Sequence, residues 1–89
     1  MNPETFTVTM QVLDNRANGE PVEGATVLIN SSDVPDVYYE LLTNSEGICT
    51  IQLVEGEWHI EPFKEGVGRD SSFGSDWFDR DCTITFYLN

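Results

Sequence analysis

Positive charge is nearly absent from this sequence. Lys and Arg together number four, Lys64 is the sole lysine, and sixteen Asp and Glu residues leave a formal net charge of −12. Binding a phosphate backbone depends on clustered Lys and Arg that displace counterions, so nucleic acid is all but excluded as a partner. An anionic membrane surface is disfavoured on the same ground. Two readings of the charge stay open: an ordinary acidic, soluble surface, or adaptation to high salt, where repulsion between carboxylates is screened within a few ångströms. The scarcity of Lys fits the second.

Long apolar runs are missing too. No stretch of about 18 apolar residues exists to span a bilayer, and Met-Asn-Pro-Glu-Thr lacks the basic start and apolar segment of a signal peptide. If Met1 is the native start, synthesis in the cytosol without a cleaved leader is expected. One histidine, His59, and two cysteines, Cys49 and Cys82, are too few for a zinc centre. The cysteines allow one disulfide at most, and buried thiols and a bridge both fit.

Catalytic signatures are absent as well. There is no Gly-x-Ser-x-Gly, no His-Glu-x-x-His and no phosphate-cradling glycine loop followed by Lys. The expectation is therefore that the chain is not an enzyme, with no catalytic residue, cofactor or metal. Asp76, Asp79 and Asp81 lie close together beside Trp77, but their spacing matches no established calcium loop and reads as a solvated acidic rim.

What is present is a folding pattern. With 89 residues, 39% of them hydrophobic and ten of them aromatic, the chain has apolar matter for one modest core and is expected to form one domain over residues 1–89. Periodicity of two dominates wherever apolar residues cluster, and helical spacing is found nowhere. Phe6, Val8, Met10 and Val12 alternate with Thr5, Thr7, Thr9 and Gln11; Ala25, Val27 and Ile29 form a second inward row. A third, less regular strand covers residues 37–43. Cys49, Ile51 and Leu53 mark a fourth, Trp58 and Ile60 point inward around an outward His59, and Cys82, Ile84, Phe86 and Leu88 define the last.

Turn chemistry separates these strands. Asn18-Gly19 supplies positive φ, Pro21 fixes its own, and Asn44-Ser45-Glu46-Gly47 reverses the chain before the fourth strand. A sheet with one apolar face must bury it against another layer, so the expected fold is all-β: a small two-sheet immunoglobulin-like or prealbumin-like sandwich of six or seven strands. The sequence ends with its last strand, which fits a complete domain.

Residues 63–81 break the rhythm and read as one long loop. A loop of this length in a small domain is uncommon unless it binds something or moves. Phe73, Trp77 and Phe78 give it apolar area, and Arg69 and Arg80 flank them with positive charge, a composition that favours protein contact. The alternative is that some of these aromatics fold back to plug an open end of the sandwich. Aromatics also stack on sugar rings, so carbohydrate is a weaker option for the same residues.

Val12-Leu13-Asp14, followed by Gly19-Glu20-Pro21-Val22-Glu23-Gly24-Ala25-Thr26-Val27, resembles the opening of carboxypeptidase regulatory-like domains, small β-sandwiches akin to transthyretin-like and collagen-adhesin B-type modules. The resemblance continues through Thr43-Asn44-Ser45-Glu46-Gly47-Ile48 and Gly56-Glu57-Trp58-His59-Ile60, and covers most of the chain. It implies a sandwich fold and a choice of roles: spacer, adhesin, or carbohydrate- or protein-contacting domain. Adhesin-type members often carry a Lys–Asn isopeptide with the Lys in the first strand. Residues 6–13 contain no Lys, so that crosslink is excluded here even though Asn89 ends the chain.

These features together lead to the expectation of a structural or binding module, an accessory or decoration subunit in an assembly such as a virion or other surface lattice. The alternative is a spacer, adhesin or carbohydrate-contacting module of a longer secreted protein.

Overall fold

Alternation along the chain becomes two sheets packed face to face. The computed structural model describes residues 5–15, 18–31, 38–70 and 75–89. Among them run β1 (Thr5–Asp14), β2 (Glu20–Pro21), β3 (Thr26–Ser31), β4 (Tyr38–Leu42), β5 (Ile48–Val54), β6 (Gly56–Lys64), β7 (Gly68–Arg69), β8 (Ser75–Phe78) and β9 (Cys82–Leu88). The expected two-sheet β-sandwich is what forms, with β2, β7 and β8 as short additions. β7 and β8 correct the reading of residues 63–81 as one loop: both pair antiparallel with β6, on its edge away from β3. Their pattern was invisible because strands of two and four residues are too short to display a period.

β1 is the spine of the first sheet. It pairs antiparallel with β5 over Thr5 to Gln11 and parallel with β9 over Val8 to Asp14. These registers overlap, so β5 and β9 lie on opposite edges of β1. The second sheet runs β4, β3, β6, and then β7 and β8 side by side. β9 and β8 are thus outer strands of different sheets, joined by only the three residues between Phe78 and Cys82.

The inward rows named by alternation meet in one core. Val8, Met10 and Val12 of β1, beside Leu53 of β5 and Phe86 and Leu88 of β9, face Val27, Ile29, Trp58 and Ile60 of the second sheet, all between 0% and 3% exposed. Each such side chain contributes about 1.5–3 kcal/mol on burial. Trp58 keeps its polar atom satisfied, its Nε1–H donating to the Val54 carbonyl at 2.9 Å.

Two turns lock the sheets in register. Asn18 and Gly19 take left-handed φ values of 58° and 76° just ahead of β2, where the Gly19 N–H donates to the Asp14 carbonyl at 2.9 Å. The Pro-Val-x-Gly-Ala turn is pinned by buried Thr43, whose hydroxyl donates to the Val22 carbonyl at 2.6 Å and accepts from the Ala25 N–H at 2.9 Å.

The two cysteines are free thiols. Cys49 sits opposite Met10 and Cys82 opposite Val8, on either side of β1. Two strand spacings and a two-residue offset along β1 separate them by about 11–12 Å, beyond the ~7 Å that a disulfide tolerates between Cα atoms. Burial pushes the Cys49 thiol up to about 11.

Candidate functional site

β8 exists because β6 offers it an edge. Gly56 pairs with Phe78, Glu57 with Trp77, Trp58 with Asp76 and His59 with Ser75, and Ser75 Oγ donates to Glu57 Oε1 at 3.1 Å. Neighbouring strand residues point to opposite faces. Trp77 therefore stands outward, 56% exposed, while Phe78 turns into the core at 5%. Phe78 is thus corrected from a contact anchor to a core residue: its apolar area is spent between the sheets and is closed to a partner.

The remaining candidates do not converge on one spot. Phe73 lies outside the described residues. Arg80 projects at the end of β8 with its Nε–H donating to Asp79 Oδ1 at 3.1 Å. Arg69 is carried on β7 opposite Phe63, whereas Trp77 is opposite Glu57. Both Arg69 and Trp77 are on the outer face of the second sheet, but six residues of β6 hold them about 20 Å apart. Arg69 instead pairs with Glu61 at 3.7 Å, the other oxygen of which is 3.7 Å from His59 Nε2. His59 is half-exposed on an outward strand position, as its alternation with Trp58 and Ile60 implies.

Two further features were not picked out from the sequence. Tyr38 and Leu42 of β4 stand 64% and 67% exposed on the same outer face as Trp77. The run Tyr-Tyr-Glu-Leu-Leu carries apolar residues at both parities, and that was the available signal. Tyr39 and Leu41 turn inward instead, Tyr39 with its ring centroid 6.2 Å from that of Trp58.

The second feature is a concavity of 240 Å³ where β8 faces β9 across the flank of the sandwich. Asp76, Trp77, Phe78, Asp79 and Arg80 line one side, and Cys82 and Ile84 line the other. Burial raises the Cys82 thiol, and the negative charges of Asp76 and Asp81 raise it further. Asp81 is itself structural, its Oδ1 accepting the Thr7 N–H at 2.8 Å. Among the described residues, no three His, Cys, Asp or Glu side chains are grouped so as to hold a metal ion.

No protein-family model matches the chain, and no curated protein matches it in sequence. Its fold, in contrast, is shared with solved structures. It is similar to the major pilin subunit of Bacillus cereus, with a TM-score of 0.72 and 15% identity over 98% of this chain, which spans 30% of that subunit. It is also similar to the 5-hydroxyisourate hydrolase of Klebsiella pneumoniae, with a TM-score of 0.59 and 21% identity over 98% of this chain and 93% of that one. The fold is thus a transthyretin-like, prealbumin-type β-sandwich. Identities this low establish a shared architecture, and one architecture serves unrelated roles.

The hydrolase overturns one expectation. Absence of familiar catalytic motifs implies from sequence that the chain is not an enzyme, yet a hydrolase is built on a similar sandwich. Motifs such as Gly-x-Ser-x-Gly belong to other folds, so their absence says little about chemistry on this one.

Proposed function

We propose that this chain is a structural β-sandwich module that docks a protein partner within a surface assembly, through the end of the sandwich that carries β8. The observation behind this reading is Trp77. A large aromatic ring 56% exposed on a four-residue strand, with the charged Arg80 and Asp79 beside it, is costly to leave in water and is the side-chain type that anchors protein contacts. The pilin relationship supports an assembly role, and membership of the carboxypeptidase regulatory-like group would fit it. A virion lattice is one setting for such a subunit.

A second reading draws on the 30% of the pilin subunit that the chain spans: a spacer or adhesin module of a longer surface protein uses the same Trp77 contact between modules. The test is sedimentation of material from cells or particles that make the protein. Wild-type chain should travel with a large assembly, and Trp77→Ala should release most of it to the top of the gradient. Wild-type protein sedimenting as a free chain of 10.0 kDa would rule the reading out.

A further inference from the structure

The flank between β8 and β9 combines an open sheet edge with an apolar trough. β9 pairs with β1 on one side only. On its other side, the Tyr87 N–H donates to Asp70 Oδ2 at 3.0 Å and the Asn89 N–H to the Arg69 carbonyl at 3.2 Å. Main-chain groups alternate in direction along a strand, so those of Thr83 and Thr85 face the same way as Tyr87. Among the described residues, none receives them. The closed half of the edge is thus covered by β7 and Asp70, and the open half runs beside the 240 Å³ concavity, on the side lined by Cys82 and Ile84.

We propose that this half-edge is a strand-addition site, filled by an extended, lysine- or arginine-bearing segment of a partner protein. An extended segment satisfies the Thr83 and Thr85 main-chain groups and sets alternate side chains into the trough, the division of labour by which added strands bind. The charge selects the occupant. Asp76 and Asp79 stand exposed at the mouth, and Arg80 is already engaged by Asp79. A second copy of this chain would bring another −12 of net charge to the edge, whereas a basic segment lays its aliphatic stems along Cys82 and Ile84 and its charged heads beside the carboxylates. The inference rests on the assembly reading and names the partner's chemistry at that same end of the sandwich.

The probe is a pair of synthetic nine-residue peptides, one alternating Lys and Val and the other Glu and Val, added to ¹⁵N-labelled full chain. The Lys peptide should shift the amide resonances of Thr83 and Thr85, slow their hydrogen exchange about tenfold or more, and lose affinity as NaCl is raised. The Glu peptide should do neither. Equal effects of both peptides, or shifts centred on β4 or β5, would overturn the proposal. Thr85→Pro removes one outward N–H and leaves the β1 ladder untouched, and it should abolish the Lys-peptide response with the melting temperature close to wild type. Should that variant fold poorly, Asp76→Lys combined with Asp79→Lys, at two exposed positions, should abolish the response instead; an unchanged response would refute the charge argument. In the native assembly, loss of incorporation by both Thr85→Pro and Trp77→Ala supports the edge site. Normal incorporation of Thr85→Pro with loss of Trp77→Ala defeats the edge site and leaves the Trp77 contact standing. Normal incorporation of both defeats the two together.

Discussion

Trp77 and Phe78 are adjacent aromatics that the strand sends to opposite fates, so truncating each in turn is a direct measurement of the architecture. Phe78 is 5% exposed and belongs to the same core as Ile60 and Phe86. Replacing a buried Phe by Ala costs about 3–5 kcal/mol, the transfer term plus the cavity left behind. Among the described strands β8 pairs with β6 alone, and its four residues can relax toward the gap, which places Phe78→Ala near the lower end at about 3 kcal/mol. For a chain of 89 residues with a stability of roughly 4–13 kcal/mol, that is a large fraction of the whole. At about 4–8 °C per kcal/mol the melting temperature falls by roughly 12–24 °C. Trp77→Ala removes a mostly solvated ring and should stay within about 0.5 kcal/mol of wild type. Circular dichroism melts and urea midpoints of the two variants decide the matter. If Trp77→Ala loses as much stability as Phe78→Ala, the ring is a plug in the core and the outward placement of β8 is wrong.

Other outcomes follow from the turn, the thiols and the charge. Gly47 has φ of 75°, and a Cβ built there comes within 2.5 Å of the Val12 carbonyl oxygen, so Gly47→Ala should cost about 2 kcal/mol or more in a urea melt; a change under about 0.5 kcal/mol would contradict the turn geometry. Cys49, raised from 9.0 to about 11, is about a hundredfold less ionised near pH 8 than an ordinary thiol. Its alkylation by iodoacetamide should lag by at least that factor and accelerate as pH climbs toward the raised value, and a rate equal to that of free cysteine would refute its burial. With a net charge of −12 and two Arg–carboxylate ion pairs among the described residues, one of them at 3.7 Å, self-repulsion should make the melting temperature rise from about 0.05 M to about 2 M NaCl. A flat or falling curve would remove the high-salt reading.

Alternation was the most legible signal. Val8, Met10 and Val12, like Phe86 and Leu88, point inward as period two requires, because a strand with one apolar face has one low-energy orientation against a core. Asn18-Gly19 and Asn44 through Gly47 were equally readable, since few residues tolerate positive φ and these turns require it. The candidate site was read less well. Trp77 and Phe78 looked alike as two aromatics in a glycine-containing stretch, and only the pairing of β8 with β6 sorts one outward and one inward. Arg69 and Trp77, eight positions apart in sequence, are held apart along β6 by pairings that no local pattern encodes.

By itself the sequence determined the β class, the inward rows, the turn positions, the acidic surface and the lack of any bilayer-spanning helix, all of which are local or compositional properties. Only the tertiary structure decided which strands lie at the edges, that β9 joins β1 in parallel, that Cys49 and Cys82 are two strands apart, and that the open half of β9 borders an apolar trough. Those are non-local facts. They depend on which of several compatible apolar faces meet and which main-chain edges remain unpaired, and the free energy that selects among such pairings comes from the assembled core rather than from any one segment.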